Sequence, residues 1–203
     1  FTDTEWQAAR TDGELLWILK HGSKGTAMAP FIPLILTEEE AWQVLNRGLE
    51  NMPDQPELLY DAAMLADQTG RHEIFEKLMR RLIEIKPEYA HGYNALGYSF
   101  LDRNERLQEG MMLVEKAHQL APDDAAIMDS VGWGHYRLGN LSRSVEFLRR
   151  AYAANPDPEI AAHLGEVLWV AGEKIEAEKI WQQALKNNPD SAVLSAVIKK
   201  FMP

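Results

Sequence analysis

A chain of 203 residues can form one or two domains, and a compact domain of that size buries roughly 70% of the surface its unfolded chain exposes. The formal charge of -10 repels phosphate backbones and anionic lipid, so no nucleic acid partner is expected. The lack of cysteine removes disulfides, thiolate nucleophiles, Cys-ligated zinc and CxxCH attachment of haem, and no apolar run approaches the roughly eighteen residues of a transmembrane segment.

The chain opens Phe1-Thr2-Asp3, with no initiator Met and no charged-then-apolar leader. That is expected of a mature form or fragment, and any membrane association would then depend on a lost N-terminal signal or lipid anchor. Farther on, Gly22-Ser23-Lys24-Gly25-Thr26-Ala27-Met28-Ala29-Pro30-Phe31-Ile32-Pro33 places two glycines and two prolines where a helix would otherwise run. Residues 1–37 are therefore expected to be irregular. From Asp12-Gly13-Glu14-Leu15-Leu16-Trp17 through Met28 to Glu40-Ala41-Trp42, the chain resembles the distal half of a small c-type cytochrome. In that family a Met-containing loop gives haem an axial sulfur, and the resemblance would assign that role to Met28. The missing CxxCH removes both the covalent attachment and the proximal histidine beside it. No cofactor is expected, and a loop-rich cap is the favoured reading of this segment over a decayed cytochrome domain or a junction of unrelated pieces.

Beyond residue 37 a period appears. Prolines recur at Pro53, Pro87, Pro122, Pro156 and Pro189, with spacings of 34, 35, 34 and 33, and acidic or small residues follow them as helix-start signals. Gly70, Asn104, Gly139 and Gly172 fall in phase between them and divide each unit into two helices, since both residue types tolerate the left-handed conformation that ends a helix. Small residues recur in the first helices at Ala63, Gly97, Gly132 and Gly165, and in the second helices at Ala41, Gly110, Ser144 and Ala177, which lets helices approach closely. Phe75 and Leu82 depart from this rule, and Asp102-Arg103-Asn104-Glu105-Arg106 carries one extra residue.

The pattern resembles the tetratricopeptide repeat. That resemblance implies an all-α, right-handed superhelical solenoid spanning 38–189, with a half repeat at 38–53 and full repeats at 56–89, 90–124, 125–157 and 158–190. Residues 191–203 are expected to form a capping helix over the apolar end of the stack. The phrases Asn94-Ala95-Leu96-Gly97-Tyr98, Asp129-Ser130-Val131-Gly132-Trp133 and Ala161-Ala162-His163-Leu164-Gly165-Glu166-Val167-Leu168-Trp169 resemble a group of Gram-negative bacterial repeat proteins. Some of these are envelope lipoproteins that act as protease or assembly adaptors. The resemblance implies a periplasmic or envelope-associated scaffold, with a cytoplasmic location left open.

Little in the sequence suggests catalysis. The six histidines form no HExxH pair or metal-ligand spacing, and His135 and His163 are expected to be hydrogen-bonded packing residues. Ser130 and Ser144 have no readable base, no isolated carboxylate acid/base pair stands out, and Gly132-Trp133-Gly134 lacks the strand that precedes a phosphate loop. The chain is expected not to be an enzyme.

The family resemblance instead places a protein- or peptide-binding groove on the first helices, lined by Tyr60, Asn94, Tyr98, Asp129, Trp133, Tyr136, Arg137, Glu166 and Trp169, with Glu159 beside them. Tyr98, Trp133 and Trp169 recur as an aromatic row suited to anchoring a peptide; packing of these rings between adjacent first helices is the competing reading. The Lys/Asn/Arg clamp of chaperone-binding repeats has no counterpart at Tyr60, Met64, Asn94 and Tyr98. The alternatives are an accessory subunit of a cytochrome-containing electron-transfer complex and a self-assembling structural subunit.

Overall fold

The computed structural model describes residues 37–202, and among them every regular element is a helix. The chain divides into two compact units at Pro87/Glu88.

The described part of the first unit holds α1 (Glu38–Asn51), α2 (Pro56–Gln68) and α3 (His72–Ile85). Thr37 starts α1 through a reciprocal cap: its Oγ1 accepts from Glu40 N at 3.3 Å, and its own N–H donates to the Glu40 carboxylate at 2.8 Å. That pairing satisfies two otherwise orphaned donors and holds the Glu40 carboxyl below its usual range, chiefly through the Thr37 backbone. Leu45 of α1 packs with Leu58 and Ala62 of α2. Pro56 begins α2, where its missing N–H costs nothing, and α2 and α3 form a hairpin that buries Phe75, Met79 and Leu82. Phe75 is 1% exposed, so the large residue in a small-residue register is absorbed into the core.

The second unit contains three hairpins and a terminal helix: α4 (Ala90–Asp102) with α5 (Leu107–Leu120), α6 (Ala125–Arg137) with α7 (Leu141–Ala154), α8 (Pro158–Val170) with α9 (Lys174–Asn187), and α10 (Ala192–Phe201). α6 and α8 each pack against their own partner and against both helices of the preceding hairpin, and α10 packs on both helices of the last hairpin, so α4, α6, α8 and α10 follow one another in a row.

The reason lies in the small residues. A Cβ added to Gly97 would stand 2.8 Å from the Gly110 carbonyl oxygen, and one added to Gly110 would stand 3.0 Å from that of Gly97. The backbones of α4 and α5 therefore touch. In the last hairpin a Cβ on Gly165 would overlap the Trp181 indole, which is fully buried and donates from Nε1 to the Ala162 carbonyl at 3.4 Å.

The hairpin turns at Gly139 and Gly172 have φ of +82° and +91°. At the longer α4–α5 turn, two non-glycine residues share the strain, Asn104 at φ 58° and Arg106 at φ 44°, which is where the extra residue is accommodated. Asp124, Asp157 and Ser191 cap α6, α8 and α10 by accepting backbone N–H bonds.

Candidate functional site

The first helices of the second unit bring together a polar file on one side of the stack. Asp157 caps α8 and so fixes its first turn, where Glu159 is exposed. One turn farther, His163 is 8% exposed, and its Nδ1 lies 3.0 and 2.9 Å from the two carboxylate oxygens of Asp129 on α6. Trp133, one turn along α6 from Asp129, stacks on the imidazole with centroids 4.2 Å apart and an interplanar angle of 21°. Tyr98 of α4 closes the arrangement: its hydroxyl donates to Glu159 Oε1 at 3.2 Å and lies 3.5 Å from His163 Nε2.

Two opposing effects act on His163. Burial disfavours the imidazolium, while Asp129, by charge and hydrogen bond, then Glu159 and Asp102, favour it. The balance holds its pKa above the ordinary histidine value. The Tyr98 phenol is pushed far up, first by burial and then by the charges of Glu159, Asp102 and Asp129, so it remains a neutral hydroxyl.

The file continues along the row. Arg137 donates from Nη2 to the Asp102 carbonyl at 2.7 Å and lies over the Trp133 ring, 4.8 Å from its centroid. Tyr136 donates to Glu166 Oε1 at 3.2 Å, and Lys200 of α10 reaches the same carboxylate at 3.1 Å. Burial, then the Glu166 carboxylate, raises the Tyr136 phenol. Asn94 stands one turn before Tyr98 on α4, half-buried, with its Oδ1 covered and without a hydrogen-bond partner.

Tyr98, Asn94, Tyr136, Arg137 and Glu166 thus share this side of the second unit as half-buried groups. Asp129 and Trp133, each 5% exposed, belong to the packing between α6 and α8. Trp169 goes elsewhere, packing against Trp181 at 5.8 Å and Phe201 at 6.0 Å with Lys174 over its ring. The three aromatics therefore do not form one uninterrupted row: Trp133 stacks on a histidine and Trp169 supports the terminal helix. Tyr60 is on α2 of the first unit, half-buried, its phenol raised by burial and by Asp61. Met28 lies outside the described residues.

His163 is hydrogen-bonded, as expected of a packing histidine. At His135, Nδ1 is buried without a partner, the ring packs near Phe147 at 5.7 Å, and burial lowers the pKa. The acid–base pair missing from the sequence reading is Asp129–His163. Its signal was one ionisable side chain within each of two largely apolar runs, Ile127 to Val131 and Ile160 to Gly165. Among the described residues no group of three or more His, Asp or Glu side chains is placed to hold a metal ion, and no helix is long and apolar enough to cross a membrane.

Residues 56–89 match the tetratricopeptide repeat family. Over 129 residues the chain is 45% identical to the TPR repeat-containing protein PA4667 of Pseudomonas aeruginosa, covering 64% of this chain and 22% of that protein. A stretch of 171 residues is 24% identical to the protein O-mannosyl-transferase TMTC1 of Homo sapiens, covering 80% of this chain and 19% of the relative. The chain thus spans 22% and 19% of the lengths of these relatives. Among solved structures, TTC0263, a thermophilic TPR protein of Thermus thermophilus, superposes with a TM-score of 0.72 at 23% identity over 81% of this chain and 90% of that one. The pilF protein of Pseudomonas aeruginosa superposes with a TM-score of 0.62 at 15% identity, covering 82% and 85%. At these identities the likeness is one of fold.

Proposed function

We propose that this chain, in which residues 56–89 match the tetratricopeptide repeat and whose fold is that of a solved TPR protein, holds a segment of a partner protein along α4, α6 and α8 of its second unit and performs no chemistry of its own. The observation that carries this reading is how the Asp129–His163 pair is enclosed. Trp133 stacks on the imidazole and the Tyr98 hydroxyl faces Nε2, so the groups best suited to acid–base work stiffen a platform from beneath. Beside them Tyr98 and Tyr136 present half-buried phenol groups that combine area with hydrogen bonding, and Asn94 stands one turn from Tyr98 on α4. Their side chains are already restrained by Glu159 and Glu166 in the two tyrosines, which reduces the ordering cost of binding.

The likeness of the repeat phrases to Gram-negative adaptor proteins supports a partner within a bacterial envelope complex, and with it a periplasmic or envelope-associated location. The 45% identity to a Pseudomonas aeruginosa repeat protein is in keeping with it.

The test is affinity capture from the native organism with mass spectrometry, comparing the unaltered chain with a Tyr98→Ala/Tyr136→Ala double variant. Aromatic anchors often contribute ~2 kcal/mol or more each, so capture of the specific partner is expected to fall by at least about tenfold while far-UV circular dichroism keeps its helical signal. Undiminished capture would remove the inner face as the binding surface.

A further inference from the structure

Four groups stand in file across three helices. The Asp129 carboxylate of α6 lies 2.9 Å from His163 Nδ1 on α8; His163 Nε2 lies 3.5 Å from the Tyr98 hydroxyl on α4; and that hydroxyl lies 3.2 Å from the Glu159 carboxylate at the start of α8. A phenol has one proton to donate, and here two acceptors stand within reach of it. Which one receives it depends on the imidazole. With both ring nitrogens protonated, Nδ1–H donates to Asp129 and Nε2–H points at the phenol oxygen, so the hydroxyl proton is left for Glu159. Once Nε2 has released its proton to solvent, its lone pair accepts from the hydroxyl.

We propose that this file is a proton-operated switch: loss of one proton from His163 turns the Tyr98 hydroxyl from Glu159 to Nε2 and frees the Glu159 carboxylate for a donor on a bound segment. Use of the freed carboxylate rests on the inner face holding a partner; the turn of the hydroxyl does not.

Several charges surround the imidazole. From α6 comes Asp129, from α8 itself Glu159, and from α4 Asp102. Asp102 is also held by Arg137 at 3.7 Å. The neighbouring helices commit charged groups to other pairs: Arg149 of α7 to Glu173 and to Glu176 of α9, and Lys200 of α10 to Glu166. Asp129 keeps Nδ1 protonated in either state, so the titrating position is Nε2, the nitrogen that faces Tyr98.

The experiment needs no partner. In the full chain, the His163 ring nitrogen shifts and the Tyr98 Cζ shift are followed by NMR through a pH titration. The two are expected to move with one common midpoint. Tyr98→Phe removes the acceptor of Nε2–H and the donor to neutral Nε2 alike, so its expected effect is on the carboxylate. The inflection of the Glu159 Cδ shift at the His163 midpoint, present in the unaltered chain because the hydroxyl leaves that group, is expected to shrink. Glu159→Gln, at an exposed position and still able to accept, is expected to retain the Tyr98 inflection. A Tyr98 signal that stays flat through the His163 titration would overturn the switch. So would a Glu159 inflection unchanged in Tyr98→Phe, or a Tyr98 inflection abolished in Glu159→Gln, since the last would mean that Tyr98 senses only the field of a carboxylate. Weak partner capture with a working switch would instead count against the binding reading alone.

Discussion

Trp133 is the residue whose role changes most between sequence and structure. At 5% exposure and stacked on His163, it holds α6 against α8. Trp133→Ala should therefore destabilise the protein by about 3–5 kcal/mol, measured as a fall in the urea midpoint, rather than act on partner capture alone. Asp129→Ala removes one member of a buried pair and leaves an imidazole without its counter-charge, which is expected to cost about 3–5 kcal/mol in the same assay. The pH dependence follows from the direction of the His163 shift. Its folded value lies above the ordinary one, so the pair's contribution is fully present below about pH 6.5 and is lost as pH rises through the folded value. Thermal unfolding should show a midpoint that declines as pH rises above about 6.5, and Asp129→Asn should flatten that decline.

Elements obey rules that were largely readable from the chain. Prolines after each hairpin, glycines between its helices and small residues at the contact points act within a few residues, so one sequence displays them. Gly139 illustrates the turn: φ is +82° and a Cβ there would meet nothing within 4 Å. Gly139→Ala is thus expected to cost about 1–2 kcal/mol from backbone strain alone, whereas Gly97→Ala forces a Cβ to 2.8 Å from the Gly110 carbonyl oxygen and should cost about 1–3 kcal/mol by overpacking. Chemical denaturation of the two variants checks both values. The site was less legible because its pairings join different repeats. Nothing near Trp169 in the sequence announces that Trp181 and Phe201 will pack against it, and Asp129 and His163 meet only because α6 and α8 are neighbours. Tyr98 and Tyr136 were readable from the repeat register, but their carboxylate partners Glu159 and Glu166 come from another helix.

Within the second unit, α10 departs from the repeat rule. α10 lies on α8 and α9 as a first helix would, and Leu194 and Val197 are buried at 0% and 7%. Seven residues after the first residue of α4, α6 and α8 come Gly97, Gly132 and Gly165; the same count from Ala192 reaches Lys199, whose side chain is exposed. A second helix cannot approach α10 as closely as α9 approaches α8. In exchange α10 supplies Phe201 to the Trp169–Trp181 cluster and Lys200 to Glu166.

The packing of each helix against near neighbours in the chain has a kinetic consequence. Contacts between segments close in sequence require little loop closure, so the second unit is expected to fold quickly and to open from its ends rather than all at once. Amide hydrogen exchange should rank its helices by position, with α6 and α8 slowest and α10 fastest. In that gradient the Asp129–His163 joint lies at the slow centre, while the helix carrying Lys200 unlatches first.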